Sequence, residues 1–277
     1  MTKITKRLIL YFILLAMAIY IMIALWNVIH RQGDVSLLPR DYPEIVEEGV
    51  LNMVTDYNAV GYHVEGDTLA GFQYELMRAL ERDWGVEVRL FLENSLDESF
   101  EGLREGKYDI VARNIAINSQ LLEQFAFSQF LHRNKLVLVQ RKMEYNDSIE
   151  PIRQHLELAG QTIYLHKDAP AKVRIDNLAN EIGDTIYIIE EDRYEAEQLV
   201  MMVAGGDIDL TVADREMARR LADVMPELDV ETDISFTQLE SWALRHESPQ
   251  LLDSLNAWLQ GVMQTKEFES IQKKYLE

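Results

Sequence analysis

The sequence predicts an α/β protein of two lobes that follows one N-terminal transmembrane helix. Strand-like and helix-like segments alternate after residue 50, and a polar break at Glu144–Pro151 divides this alternation into two runs. Strands that alternate with helices at this spacing form parallel sheets covered by helices, so two runs predict two α/β lobes. The membrane helix is predicted by an uncharged apolar run from Leu8 to Trp26.

The apolar run follows three basic residues, Lys3, Lys6 and Arg7, and contains no charge, Pro or Gly. As a helix it would rise roughly 28 Å, about the thickness of the hydrocarbon core of a bilayer. A cleaved signal peptide has a shorter apolar region, of roughly 7–15 residues. We therefore expect residues 1–32 to be a basic stub and a retained membrane anchor. A long, cleaved signal peptide is the alternative.

The predicted anchor also orients the rest of the chain. A basic segment that precedes a membrane span stays on the cytoplasmic side. We therefore expect a single-pass protein of the inner (cytoplasmic) membrane, with its C-terminal domain in the periplasm or outside the cell. Residues 33–44, which contain Pro39 and Pro43, are expected to tether that domain to the anchor.

The composition excludes several classes of function. The chain has no cysteine, so disulfides, thiolate metal sites and a cysteine nucleophile are excluded. Its net charge is −20 at pH 7, and every acidic residue follows residue 32. Such a field repels nucleic acids and anionic lipid, so we exclude both as partners of the domain. The six histidines lack the spacing of a zinc site, and no metal or other cofactor is expected.

The first run of elements begins after the tether. Apolar residues recur at helical spacing from Phe72 to Trp84, and Gly85 ends that helix. Ser95 opens the next helix as the first residue of a capping box, and Gly106 ends it. The strands predicted in this run are Leu51–Thr55, Val86–Leu92 and Asp109–Ala112.

The second run repeats the alternation, and Pro170 stands where a helix begins. The predicted strands are Thr162–Leu165, Thr185–Ile189 and Leu210–Val212, and the predicted helices are Ala196–Val203 and Arg215–Met225. Two helices follow near the C-terminus, the first opened by Ser248 and Pro249. Their apolar faces are expected to be core: Leu251, Leu255, Trp258, Leu259 and Val262 in the first helix, and Phe268, Ile271 and Tyr275 in the second.

Four motifs, in order along the chain, carry a resemblance. Gly71-Phe-Gln-Tyr-Glu-Leu76 matches a G-F-D-x-D-L helix start, and Leu103-Arg-Glu-Gly-Lys-Tyr-Asp109 matches an L-x-x-G-K-x-D strand entry. Phe127-Ser128 matches an F-S pair, and residues 206–214 match a G-x-x-D-x-x-x-x-D motif. From residue 45 to its end the chain resembles the bacterial solute-binding proteins of family 3, the polar-amino-acid type. Among them it is similar to the non-catalytic binding domain of membrane-bound lytic murein transglycosylase F.

The resemblance implies the two-lobed fold of type II periplasmic binding proteins. Lobe 1 would comprise residues 45–132 with 243–277, and lobe 2 would comprise residues 133–242. Two strands, near Lys135–Gln140 and Glu240–Leu244, would form the hinge. The ligand would lie in the cleft between the lobes, at the carboxyl ends of strands, and the lobes would close on it by a hinge motion.

The part of the family's site that binds an α-carboxylate is altered here. The family motif T-P-E-R, whose Arg clamps that carboxylate, reads Asn118-Ser-Gln-Leu121. The family's Gly-Thr/Ser-Thr turn reads Asp168-Ala-Pro170, which has no hydroxyl group and adds a negative charge. The expected ligand is a small polar molecule of amino-acid, peptide or muropeptide type. A cationic or peptide-like compound is expected in preference to a simple α-amino acid.

Three candidate ligand-binding residues keep the family's pattern. Asp214 stands where the family's acidic residue binds the ligand ammonium group, and the alternative is a helix N-cap. Tyr57 and Tyr62 lie in the loop where the family uses aromatic side chains to cover the ligand. The alternative for both tyrosines is ordinary loop packing.

Four further candidates are specific to this sequence. Arg113 ends the predicted strand and is a candidate replacement for the lost arginine, with a surface salt bridge as the alternative. Asn114 and Asn118 follow in the same loop. Asp168 would add an acidic group to the cleft at the altered turn.

The resulting expectation is a binding protein and not an enzyme. The chain would close on a small polar ligand and present that state to an inner-membrane partner, either an ABC permease or a cell-wall enzyme. The catalytic domain of the transglycosylase relative follows its binding domain, where this chain ends, so no murein cleavage is expected. Two alternatives stay open: a ligand-free regulatory module for a cell-wall enzyme, and a periplasmic lyase or dehydratase that uses His166 or Asp214.

Overall fold

The computed structural model describes Met17, residues 40–167 and residues 169–276. The predicted membrane helix apart from Met17, the predicted tether up to Pro39, and Asp168 lie outside the described residues. Among the residues that are described, no helix combines the length and the apolar character needed to cross a bilayer. Residues 40–44, assigned above to the tether, instead belong to the folded domain, because Asp41 caps the helix Tyr42–Glu48.

Every strand and helix predicted within the described residues overlaps an observed one. The strands are β1 (Val50–Thr55), β2 (His63–Glu65), β3 (Thr68–Ala70), β4 (Glu87–Leu92), β5 (Ile110–Ala116), β6 (Ala126–Phe127), β7 (His132–Asn134), β8 (Leu136–Arg141), β9 (Thr162–His166), β10 (Tyr187–Glu191), β11 (Thr211–Asp214), β12 (Leu228–Asp233) and β13 (Gln238–Leu244). The helices are α1 (Tyr42–Glu48), α2 (Phe72–Trp84), α3 (Leu96–Arg104), α4 (Ser119–Gln124), α5 (Ala171–Ile182), α6 (Ala196–Gly205), α7 (Arg215–Val224), α8 (Pro249–Val262) and α9 (Lys266–Tyr275).

Two mixed sheets form the two lobes. The first has the strand order β4-β1-β5-β13-β6, with β7 also paired to β13. In it β1 runs parallel to β4 and β5, whereas β13 runs antiparallel to β5, β6 and β7. The second has the order β10-β9-β11-β8-β12, in which β9 is parallel to β10 and β11, and β8 is antiparallel to β11 and β12.

The chain passes between the sheets twice. It leaves the first sheet after Asn134 and enters the second at Leu136, and it returns between Asp233 and Gln238. The first crossing lies just after the predicted boundary at 132/133, and the second precedes the predicted boundary at 242/243, because all of β13 belongs to the first sheet. The strands predicted as the hinge, near Lys135–Gln140 and Glu240–Leu244, each lie within one sheet, and the crossings lie beside them. The crossings run side by side, since Leu136 N donates to Ser235 Oγ at 2.9 Å and Ile234 N donates to Leu136 O at 2.8 Å.

The two C-terminal helices return to the first lobe, as their apolar faces predict. Leu251 and Leu255 of α8 and Phe268 of α9 are buried with Phe72 and Trp242 in one core. The phenolic hydroxyl group of Tyr275 also donates to Glu75 Oε1 of α2 at 2.6 Å. The first lobe is therefore assembled from both ends of the described domain.

Asp109, the last residue of the strand-entry motif, is fully buried. Its carboxylate accepts hydrogen bonds from Arg40 Nη2 and Asn52 N, both at 2.9 Å, and from Arg245 Nη2 at 3.2 Å. Burial raises the pKa of Asp109, while the Asn52 N–H group and the two guanidinium groups act in the opposite direction. This aspartate therefore joins the N-terminal, central and C-terminal parts of the first lobe.

Gly71, at the start of α2, lies where two backbone segments touch. Its φ is +131°, and a Cβ atom there would overlap the carbonyl group of Gly61. The same contact is fixed by hydrogen bonds from Phe72 N to Val60 O (2.7 Å) and from Gln73 N to Gly61 O (3.0 Å). The motif's glycine thus lets α2 begin directly against the preceding loop.

We expect Gly71→Ala to lower the free energy of unfolding by about 3 kcal/mol or more, because the Cβ atom cannot fit without breaking these hydrogen bonds. Gly261→Ala is the matched control, since Gly261 lies in α8 with open space around it. That variant should gain about 0.5–1 kcal/mol. Chemical denaturation of the full chain measures both changes, and a Gly71→Ala protein as stable as its parent would contradict the packing described.

Candidate functional site

A cavity of about 320 Å³ lies between the lobes. It is bordered by the residues that end or follow the parallel strands of both sheets: Asp56 after β1, Asn94 after β4, His166 at the end of β9, Asp192 after β10 and Asp214 at the end of β11. The carboxyl ends of parallel strands are where open α/β sheets bind ligands. The remaining lining residues are Tyr57, Asn58, Val60, Ser95, Leu96, Asp97, Arg113, Asn114, Lys167, Pro170, Glu195, Ala196, Glu197, Glu216 and Met217.

The lining is strongly acidic. Seven of its described residues are Asp or Glu, against Arg113, Lys167 and a histidine. Glu197 also joins the lobes, because its Oε2 accepts a hydrogen bond from Ala59 N at 3.2 Å. Burial raises the pKa of Glu197. Burial also raises the pKa of Glu216, which lies deeper in the cavity wall. A positively charged ligand is favoured in such a cavity.

Asp214 is the last residue of β11 and the residue before α7. The alternative role considered for it, a helix cap, is not observed, because its side chain makes no capping hydrogen bond. Burial raises the pKa of Asp214 well above the usual value, and the negative charges of Glu240, Glu216 and Asp56 add to this, while Arg113 lowers it. The carboxylate faces the cavity without a structural partner in α7.

Arg113 lies within β5 and not at its end, because that strand continues to Ala116 beyond the predicted Ala112. It does line the cavity. Its guanidinium group donates to the carbonyl oxygens of Glu93 (3.2 Å) and Asn94 (3.0 Å) and lies 3.3 Å from a carboxylate oxygen of Asp56. It also donates to Ser99 Oγ at 3.4 Å, so Arg113 is already engaged by four neighbouring groups.

Asn114 lines the cavity and is held from behind by buried side chains. Its Oδ1 accepts a hydrogen bond from Gln73 Nε2 at 2.5 Å, and Gln73 Oε1 accepts one from Trp242 Nε1 at 2.6 Å. Gln73 and Trp242 are both fully buried. This chain of hydrogen bonds was not predicted from the sequence, although Gln73 belongs to the motif that begins at Gly71.

The two candidate tyrosines lie at different depths. Tyr57 lines the cavity and is half exposed, whereas Tyr62 is buried and is absent from the described lining. The ring of Tyr62 contacts Tyr57 and Tyr74 edge to face, at centroid distances of 6.4 and 5.7 Å. Tyr62 therefore supports Tyr57 from beneath and does not face the cavity.

The structure places Asn118 away from the described lining of the cavity. Its Oδ1 accepts a hydrogen bond from Leu121 N at 2.9 Å, which caps helix α4. Asp168 lies outside the described residues, but His166, Lys167 and Pro170 beside it line the cavity. No group of three or more His, Asp or Glu residues in the described part of the chain has the arrangement of a metal site.

A contact between a histidine and a glutamate lies behind Asp214. His132 Nε2 and Glu240 Oε2 are 2.7 Å apart, and both residues are almost completely buried. The angles at this contact do not meet those of a hydrogen bond, so the pair is a close contact between two buried polar groups. Glu240 acts on both Asp214 and Glu216 by raising their pKa values. Glu216, Glu197 and Glu240 were not predicted from the sequence, and the only signal for Glu216 was its position two residues after Asp214.

We expect Asp214→Asn to stabilise the protein at pH 8. Folding raises the pKa of Asp214 above its ordinary value of 3.8, so the folded state binds a proton at this carboxyl group more tightly than the unfolded state does. The free energy of unfolding therefore falls as the pH rises from the ordinary pKa through the raised one. Removing the charge should raise the melting temperature by about 2–4 °C at pH 8. The gain should vanish as the pH falls toward 4.

Asp223→Asn is the control, because Asp223 is an exposed residue of the same helix α7. Its melting temperature should match that of the parent at both pH values. A loss of stability in Asp214→Asn at pH 8 would show that the carboxylate is a structural partner and not an uncommitted group of the cavity.

Solved structures with the same fold include a mutant of ArgBP from T. maritima. That structure has a TM-score of 0.73, is 20% identical in sequence, and covers 84% of this chain and 98% of its own. An ancestral arginine-binding protein bound to arginine has a TM-score of 0.71 at 19% identity, with 83% of this chain and 99% of its own covered. These likenesses establish the two-lobed fold.

Sequence relatives include proteins named membrane-bound lytic murein transglycosylase F. The one from Desulfosudis oleivorans is 25% identical over 233 residues, which are 84% of this chain and 50% of that protein. The one from Mannheimia succiniciproducens is 27% identical over 226 residues, which are 79% and 45% of the two chains. This chain thus spans about half the length of these relatives. The model of the bacterial extracellular solute-binding proteins, family 3, matches residues 50–277, and the chain belongs to that family.

Proposed function

We propose that this protein is an extracytoplasmic solute-binding protein whose two lobes close on a small polar ligand in the cavity beside Asp214. The observation that carries the proposal is the position of Asp214, which ends a parallel strand, faces an inter-lobe cavity and caps no helix. A carboxyl group whose pKa is raised and which makes no structural hydrogen bond is typical of a binding site. Membership of the family supports the same function.

The ligands of the structural neighbours support a ligand with a positive group. The neighbours include an arginine-binding protein bound to arginine and a binding component of an ABC transporter from Wolinella succinogenes complexed with lysine. Both molecules carry a cationic side chain, which suits the acidic lining described above. A peptide-like or muropeptide-like compound with an amino group meets the same requirement.

The proposed place of action is the outer side of the inner membrane. The apolar run from Leu8 to Trp26 supports an anchor there. The partner would be a permease or a cell-wall enzyme. The relatives named as transglycosylases support a cell-wall enzyme. In that case the alternative role of this protein is a regulatory module of the enzyme. Retention of the full chain in the membrane pellet after alkaline carbonate extraction tests the anchor, and release into the supernatant would contradict it.

A thermal-shift screen of the full chain in mild detergent tests ligand binding. The compounds are amino acids, polyamines, short peptides and muropeptides. A ligand at about 100 times its dissociation constant adds roughly 2.7 kcal/mol to stability, which should raise the melting temperature by roughly 5–10 °C. Asp214→Asn should lose most of the shift and Asp223→Asn should keep it.

A screen in which no compound shifts the melting temperature would contradict the proposal and favour the ligand-free regulatory module. Recovery of the bound compound unchanged separates binding from catalysis. Conversion of that compound by the parent but not by Asp214→Asn or His166→Ala would instead support a lyase or dehydratase.

A further inference from the structure

The described lining of the cavity offers few cationic groups to a ligand carboxylate. Arg113, the one arginine in it, is engaged by two carbonyl oxygens and by Asp56. Lys167 is largely exposed, with 64% of its side chain accessible, and its Nζ lies 3.9 Å from Asp192. A carboxylate at Arg113 would compete with these acceptors, and one at Lys167 would bind an exposed ammonium group that already lies near Asp192.

The backbone also offers little to an anion. Helix α5 begins after Pro170, which has no N–H group to donate. At the start of α3, the hydroxyl group of Ser95 already accepts from Glu98 N, and Asp97 adds a negative charge in the first turn. Leu121, at the family's arginine position, packs against the core around Phe125 and is absent from the described lining.

The same wall has carboxylate oxygens that accept no hydrogen bond. Oε2 of Glu216 is buried and accepts no hydrogen bond, and Asp214 leaves helix α7 uncapped. Glu240, only 2% exposed, lies behind them, and its Oε2 makes no hydrogen bond although it lies 2.7 Å from His132 Nε2. Buried carboxylates are stabilised by a cation or by hydrogen-bond donors. A ligand that supplied a positive charge and hydrogen-bond donors would stabilise these carboxylates.

We infer that the cavity takes an organic cation without a carboxylate group, a primary amine or a guanidinium compound, whose positive group lies against Asp214 and Glu216. The inference rests on the proposed function and names the chemical class of its ligand. A cavity of about 320 Å³ is at the lower end of the usual range for small-molecule sites, which suits a compact aliphatic ligand. The ammonium or guanidinium group donates several hydrogen bonds, and the short aliphatic chain lies beside Val60 and Met217.

The inference also predicts proton release. Burial and neighbouring carboxylates raise the pKa of Asp214, and burial raises that of Glu216. A cation bound beside them stabilises their ionised forms, so ligand binding should expel protons and the affinity should increase with pH. A neutral or zwitterionic ligand held elsewhere in the cavity would release fewer protons.

Isothermal titration calorimetry of the full chain in mild detergent tests the inference with matched pairs of compounds. Agmatine is compared with L-arginine and cadaverine with L-lysine, since each pair differs by one carboxylate. We expect the amine of at least one pair to bind ten-fold or more tightly than its amino acid. We also expect the ligand to release protons from the protein when it binds, which titrations in two buffers of different ionisation enthalpy will measure.

Variants locate the site. Asp214→Asn and Glu216→Gln should each weaken amine binding ten-fold or more, and either variant suffices if the other fails to fold. Asp223→Asn should bind as the parent does. An affinity for the amine that neither folded variant changes would overturn the inference.

The outcomes separate this inference from the proposed function. If an amino acid binds as tightly as its amine, or if peptides or muropeptides bind and amines do not, the ligand class is wrong and the binding function stands. If none of these compounds binds, both fail.

Discussion

Two short segments, residues 134–136 and 233–238, carry the chain between its lobes side by side, and the cavity depends on them. The first segment also holds the site, because Lys135 O accepts a hydrogen bond from Arg215 N at 2.9 Å and Asp214 pairs with Leu136 in the sheet. Any rotation of the lobes about this double crossing therefore moves Asp214 relative to the first lobe. A hinge motion of the lobes therefore also changes where Asp214 can contact a ligand.

The same region concentrates negative charge that the fold does not neutralise. Asp214 and Glu216 belong to the second lobe, while Glu240 and His132 belong to paired strands of the first. Burial, together with the negative charge of Glu240, raises the pKa values of Asp214 and Glu216, which disfavours the ionised form of the empty cavity at neutral pH. By contrast Asp109, which is fully buried, is held by Arg40 and Arg245. Asp109 thus has two guanidinium groups in contact, whereas neither Asp214 nor Glu216 forms an ion pair within the described residues.

Periodicity and capping residues predicted most elements, and the motifs located Asp214 at a strand end. They could not show that Asn118 turns to cap its own helix or that Tyr62 lies beneath Tyr57, because local side-chain direction decides both. Glu197 and Glu240 were indistinguishable from surface residues in a chain with 47 acidic residues. Their proximity to Asp214 depends on how the two sheets face each other, which no local pattern contains.

A distance measured between the lobes tests the central claim most directly. Because the chain has no cysteine, Glu98→Cys in α3 and Val173→Cys in α5 place one spin label in each lobe, both at exposed positions. The distance is measured by double electron–electron resonance without ligand and with saturating agmatine, cadaverine, L-arginine or L-lysine. The account predicts a shorter and narrower distance with at least one compound, and no change when Asp214→Asn is added. A distance that no compound alters, or an equal shortening in Asp214→Asn, would contradict closure on a ligand held by Asp214.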